Sequence, residues 1–160
     1  MELLLLRHGK AEDTHAEGDF ARELVEKGVR QSTRAGRLLK ALDRRPDVVL
    51  TSPRVRARQT AGHFCEAAGM PGPVVQPWID CGMGPEEALN ELQSFSEFGR
   101  VMLVGHEPDF SGLVEWLLGD GASVEVKKGS LIGLVVRPPS RDARLLFNVP
   151  PKMMAGKREG

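Results

Sequence analysis

Two histidines and one arginine-rich segment carry most of the reactive potential of this 160-residue chain. His8 stands between Arg7 and Gly9, and His106 between Gly105 and Glu107. Arg56 lies within Ser52-Pro53-Arg54-Val55-Arg56-Ala57-Arg58-Gln59-Thr60. A guanidinium presents a planar fork of donors that matches two phosphate oxygens at once. A neutral imidazole is a competent nucleophile toward phosphorus, and neighbouring arginines favour that neutral form by repelling its proton. The same arginines would stabilise the charge on the equatorial oxygens during phosphoryl transfer. Gly9 lacks a side chain, so the backbone there can approach a ligand closely, and His106 can add a hydrogen bond. This chemistry is coherent with no metal and no cofactor.

Elements that could bring these residues together are visible in the apolar pattern. Leu3 to Leu6, Val48 to Leu50 and Val101 to Val104 are continuous apolar runs, as expected of strands covered on both faces. Each is followed at once by polar residues: Arg7-His8-Gly9, Thr51-Ser52-Pro53 and Gly105-His106-Glu107. In an open parallel sheet, ligands bind outside the carboxyl ends of the strands, so two histidines about a hundred residues apart are expected to share one pocket. Between the strands, Ala35, Leu38, Leu39 and Leu42, then Ala57, Ala61, Phe64 and Ala68, and more weakly Ala88, Leu92 and Phe95, follow helical spacing. Pro53 and Pro85 are placed at helix starts. A short strand is expected near Val74-Val75 and a helix from Phe110 to Leu118.

The last quarter changes character. Ser123 to Val126, Leu131 to Arg137 and Arg144 to Val149 read as strands, with turns at Lys128-Gly129 and Pro138-Pro139-Ser140. The expected fold is a three-layer α/β/α domain with a mostly parallel central sheet and antiparallel edge strands. One domain is expected over residues 1–150, with a frayed tail over 151–160.

Composition narrows the class. Twenty-two basic residues balance 22 acidic ones, which favours neither nucleic-acid nor membrane binding. Cys65 and Cys81 have no paired spacing, which argues against a disulfide framework or a structural zinc site. The run Leu3 to Leu6 is too short for a signal peptide or a membrane span, and a cytoplasmic monomer is expected.

At Arg7-His8-Gly9, at Ser52 to Thr60 (the pattern S-P-x-x-R-A-x-Q-T) and at Gly105-His106-Glu107-Pro108, the chain resembles the histidine phosphatase superfamily, the group of phosphoglycerate mutase-like enzymes. The resemblance implies that His8 is the residue phosphorylated and that Arg7, Arg56 and His106 complete the phosphate pocket. Within the superfamily the chain is most similar to short SixA-type phosphohistidine phosphatases, through its length, Arg7 to Glu12, Pro85 to Leu89 and Lys127 to Ser130. Longer members carry an insertion with a glutamate proton donor; the stretch from Trp78 to Arg100 is short and shows no such motif. Val25 replaces the usual threonine of an L-T-x-x-G segment, and Asp80-Cys81-Gly82 is more acidic than expected. The implied substrate is a phosphohistidine-bearing protein, because imidazole, with a pKa near ~6.5, leaves with little help from an acid. Glu107 and Asp80 stand as possible proton donors.

Other readings remain at this level. The same pocket could act on small phosphate esters. His8, His106, Glu107 and Asp109 could hold a metal, although neither H-x-H nor H-E-x-x-H spacing is present. A non-catalytic phosphate-binding module would use the same residues. His15 and His63 read as surface residues, Arg54 and Arg58 as a solvated helix face, Cys65 and Cys81 as packing residues, and Lys127-Lys128 as a charged turn.

Overall fold

The computed structural model describes residues 1–119 and 121–155. Six strands form one sheet: β1 (Glu2–Arg7), β2 (Val48–Thr51), β3 (Val74–Val75), β4 (Arg100–Gly105), β5 (Leu131–Arg137) and β6 (Ser140–Val149), in spatial order β3-β2-β4-β1-β5-β6. The pairs β2–β3, β2–β4 and β1–β4 are parallel, while β1–β5 and β5–β6 are antiparallel. This is the mostly parallel sheet with antiparallel edge strands that the sequence pattern predicts.

Continuous apolarity in β1 has a direct cause. Leu3 and Leu5 enter one core with Leu89, Leu92, Phe110 and Leu113, from α3 (Pro85–Leu92) and α4 (Asp109–Leu118). Leu4 and Leu6 enter the opposite core with Ala35, Leu39, Ala57, Ala61 and Phe64, from α1 (Glu26–Ala41) and α2 (Val55–Ala68). All four leucines are at most 1% exposed, and burying each contributes roughly 1.5–3 kcal/mol. Helices thus cover both faces, giving the three layers. Among the described residues no helix is long and apolar enough to cross a membrane.

Several local expectations are corrected. Leu42 is 57% exposed, because α1 ends at Ala41 and Leu42 is its cap. Pro53 precedes α2, which starts at Val55 after Ser52 Oγ accepts the Arg54 N–H (3.2 Å). The stripe through Phe95 breaks at Leu92, where a 3-10 turn takes over. Ser123 to Val126 is not a strand: its carbonyls go to side chains instead of a ladder, Glu125 O accepting from Asn148 Nδ2 (3.0 Å) and Val126 O from Arg7 Nη1 (2.8 Å). After Pro150 the chain forms α5 (Pro151–Met154), whose Pro151 and Met154 are buried against α1, in place of a tail that frays from residue 151. Residues 156–160 of that expected tail lie outside the described residues.

Candidate active site

The three central parallel strands place the reactive segments side by side. His8 N donates to Gly105 O (3.0 Å) and Ser52 N to Val104 O (3.0 Å), so the strand ladder extends one residue beyond each strand. The His8 and His106 rings consequently lie 5.4 Å apart, tilted by 55°. His8 is 5% exposed, Arg56 5% and His106 2%; the site is walled by protein on most sides.

The two nitrogens of His8 have different surroundings. Nδ1 lies 2.8 Å from Gly9 O, an acceptor only, so Nδ1 carries the proton. Nε2 is then the unprotonated nitrogen, and it accepts from Arg56 Nε at 3.4 Å. Burial lowers the His8 pKa from 6.5 to about 3; the Gly9 hydrogen bond opposes this, and His106, Arg56 and Arg7 reinforce it. A neutral ring with its lone pair directed into an arginine-lined space is the form a nucleophile requires.

His106 Nε2 lies 2.7 Å from Ser52 Oγ, while its Nδ1 is buried with no partner. Since the Ser52 hydroxyl oxygen accepts from Arg54 N, its hydrogen is free to bond His106 Nε2. That assignment leaves the His106 proton on Nδ1, as a donor awaiting an acceptor. Burial lowers the His106 pKa to about 4, with Arg56 and Arg54 adding to the effect and Asp80 and Asp19 opposing it. Arg7 Nη1 is held by Val126 O (2.8 Å), whereas Arg7 Nε is buried and unpartnered. Two buried donors without acceptors thus flank a neutral imidazole, an arrangement that can take up the oxygens of an anion.

Gly9 has a different task from the one its position suggests. Its N–H donates to Thr60 Oγ1 (3.0 Å) and its carbonyl holds His8, so neither group is turned to a ligand. A Cβ at Gly9 would come 2.6 Å from Gly28 O, and one at Gly28 would come 2.1 Å from Lys10 O. The missing side chains let two backbones cross, which accounts for a glycine at both positions.

Three residues at the site escaped the sequence reading. Asp19 lies on a 3-10 turn (Asp19–Ala21) in a loop whose neck is closed by the Ala11–Leu24 bridge and by Val25 N to Lys10 O (3.0 Å). Its carbonyl accepts from Arg56 Nη1 (3.0 Å), and its carboxylate faces Arg56 Nη2 (3.4 Å) and Arg54 Nη1 (2.5 Å). Arg54 is not on a solvated face: its Nε donates to Asp80 Oδ1 (2.6 Å) and its guanidinium lies over Phe20. Cys81 is exposed, not a packing residue, and its sulfur lies 3.7 Å from Arg56 Nη2. Cys65 is buried in the core as expected. Polar spacing after Ser52 was the available signal for Arg54; the loop carrying Asp19 has no periodicity to read.

The expected proton donors are engaged elsewhere. Glu107 Oε1 accepts from Ser111 N (2.7 Å) in the first turns of α4. For Asp80, burial raises the pKa, but the Arg54 and Cys81 N–H donors outweigh it and hold the carboxyl below its usual range. Asp109 behaves oppositely: burial raises its pKa, opposed by the Gly82 and Met83 N–H groups and helped by Glu107 and Asp80. The metal set His8, His106, Glu107 and Asp109 does not converge, since Glu107 faces Ser111 and Asp109 faces Gly82 N (2.9 Å). Asp80, Cys81 and His106 do offer ligand atoms within 4.8 Å of one another. Arg54 and Arg56 face the same point, and their charge opposes a cation there.

An α/β sheet with such an edge is the architecture of a phosphoryl-transfer enzyme family. A family model described as the histidine phosphatase superfamily (branch 1) matches residues 3–102, and the chain belongs to that superfamily. It is a phosphatase of the histidine phosphatase type. An uncharacterized protein of Picosynechococcus is 34% identical over 144 residues, 84% of each chain. A 2,3-bisphosphoglycerate-dependent phosphoglycerate mutase of Thermobifida fusca is 39% identical over 104 residues, 61% of this chain and 42% of that one. Among solved structures, the protein histidine phosphatase SixA complexed with tungstate superposes with a TM-score of 0.88 at 22% identity, covering 97% of this chain and all of that one. A protein named as a candidate phosphohistidine phosphatase SixA from Agrobacterium tumefaciens gives 0.78 at 27% identity, covering 94% and 98%.

Proposed function

We propose that the protein removes phosphoryl groups from phosphohistidine on a partner protein, without a metal, through a phosphorylated His8. The observation that carries this reading is the state of His8: its proton is fixed on Nδ1 by Gly9 O, and its bare Nε2 faces the Arg56 guanidinium. In the first step the Nε2 lone pair attacks phosphorus and the substrate P–N bond breaks. The departing imidazole takes the bonding pair and a proton from solvent. Arg7 Nε, Arg56 and His106 Nδ1 donate to the equatorial oxygens. In the second step water attacks phosphorus, the P–Nε2 bond breaks, and phosphate leaves as His8 returns to its neutral form. Both cysteines are free, which suits a reducing cytoplasm.

Leaving-group chemistry supports a P–N substrate over an ester. An alkoxide needs a proton as it leaves, and Asp80 is held ionised while Glu107 is bound to α4. Ester hydrolysis is a second reading favoured by one observation, the raised pKa of Asp109, which would suit a proton donor. A comparison of substrates separates them. A histidine-phosphorylated peptide should be hydrolysed with a kcat/KM at least about 100-fold above that of alkyl phosphates such as sugar phosphates. Comparable rates on both, with Asp109→Asn abolishing only the ester activity, would overturn the phosphohistidine reading.

A further inference from the structure

Beside the pocket opens a second cavity of about 800 Å³, and Arg7 belongs to both. Lys10, Lys27, Lys127, Lys128 and Lys152 line it, together with the apolar Pro150, Pro151 and Met153. Among the described residues no carboxylate lines it. The chain as a whole is neutral, so this concentration of positive charge is a local segregation. Lys127 Nζ lies 4.0 Å from Glu125 with both side chains largely exposed, a contact worth little, and the Glu107 charge acts on Arg7.

The lysine pair is not a loose turn. Gly129, at φ 78°, donates its N–H to Arg7 O and His8 O (both 3.1 Å), and Ser130 O accepts from Arg7 N (3.1 Å). Lys127 and Lys128 are thus fixed to the backbone of the nucleophile itself. Across the cleft, α5 packs on α1 through Met154 and turns Met153 outward, 76% exposed. A basic wall tied to His8 therefore faces an apolar ridge open to solvent.

We propose that this cleft is the docking groove for an acidic, amphipathic helix of the phosphohistidine-bearing protein, seated with its carboxylates on Lys27, Lys127 and Lys128 and its apolar side on Met153 and Pro150. The proposal rests on the phosphohistidine reading and names the chemistry of the partner. Charge complementarity selects an acidic occupant, since the five lysines of the cleft meet no carboxylate among its described lining residues. The exposed Met153 selects a protein over a small polyanion, because a bare phosphate chain offers nothing to cover a thioether. A helix, about 10–12 Å across with its side chains, presents carboxylates on one face and apolar groups on the other from a single rigid element.

Two peptides of equal length test this, each with one histidine phosphorylated by phosphoramidate. One is an amphipathic helix of leucine and glutamate, the other of leucine and lysine. The acidic peptide should give a kcat/KM about tenfold or more above the basic one at low salt, with the ratio collapsing at about 0.5 M salt, where the screening length is about 4 Å. The triple variant Lys27→Glu/Lys127→Glu/Lys128→Glu should reverse the preference through KM while leaving hydrolysis of free phosphoramidate unchanged. If that variant fails to fold, Lys152→Glu/Met153→Ser on α5 is the second probe, with a smaller loss expected on the acidic peptide alone. Anisotropy of the unphosphorylated, labelled peptides reads docking without turnover. Should neither peptide nor phosphoramidate be hydrolysed, the phosphohistidine reading fails while anisotropy still decides the groove. Equal binding of both peptides, unmoved by charge reversal, overturns the groove alone. Inorganic diphosphate that competes with the acidic peptide, and loses affinity in the triple variant more than the peptide does, would reassign the cleft to a small polyanion.

Discussion

The two flanks of His8 use positive charge in opposite ways. On one side Arg54 and Arg56 are cross-linked to Asp19 and Asp80, so their charge is largely balanced within the chain. On the other side Arg7 joins a run of lysines with no carboxylate among the described lining residues. The balanced flank holds guanidiniums in fixed positions, which suits geometry-dependent work on a phosphoryl group. The unbalanced flank leaves its field open to a visitor, which suits attraction more than positioning. A net charge of zero conceals both arrangements.

The largest effect expected is common to both flanks. His8→Ala should reduce turnover by about 10⁴-fold or more, with the variant still folded by circular dichroism. Rapid quenching of the wild type with labelled substrate should leave an acid-labile, base-stable phosphate that this variant lacks. Substantial turnover without His8 would make the comparison pointless, since the two flanks would no longer share a nucleophile.

Next in size is the balanced flank itself. Arg56→Ala should cost about 10²–10³-fold in kcat, because it removes the proposed donor to the phosphoryl oxygens and the partner of Asp19. Arg56→Lys should recover only a small part, since an ammonium cannot span His8 Nε2, Asp19 O and Asp19 Oδ2 together. Full activity in the lysine variant would show that charge alone matters on this side, and the contrast with the lysine flank would vanish.

The smallest effect is on stability against pH. His8 and His106 titrate near 3 and 4 when folded, below their ordinary value of 6.5. Between those values the unfolded chain binds more protons, so stability is full above about 6.5 and falls as pH drops through this window. Asp19 and Asp80, whose folded pKa values are depressed, lose their contribution only below the ordinary carboxylate value of 3.8. Thermal unfolding should therefore show Tm level above about pH 7 and declining from about 6.5. His8→Asn and His106→Asn should flatten the upper part of that decline and leave the part below 4. A decline that begins only below 4 in the wild type would remove the buried neutral histidines from the account.

Much of this was legible in the chain because strands buried on both faces announce themselves as unbroken apolar runs. Their polar sequels therefore marked the sheet edge before any contact was known. Strand order was not legible: β4 lies between β2 and β1, a placement made by packing over long separations that no local period records. Ser123 to Val126 carries a strand-like alternation, yet the distant Asn148 and Arg7 side chains take its carbonyls and it joins no ladder. Asp19 was invisible for a different reason. Its loop is shaped by a closed neck and by ion pairs to residues 35 and 37 positions away, not by hydrophobic pattern. The same holds for Cys81, whose neighbours on Arg56 come from a different element.

The buried crossing of Gly9 with Gly28 gives helix α1 a mechanical hold on the His8 ring. The first turn of α1 touches the backbone on the far side of His8 with no side chain between them to absorb a displacement. A single methyl group added at residue 28 would drive into Lys10 O, and the push would travel along rigid peptide planes to Gly9 O. That oxygen is the stop against which the His8 ring is set. One carbon on α1 would thus turn the ring of the proposed nucleophile.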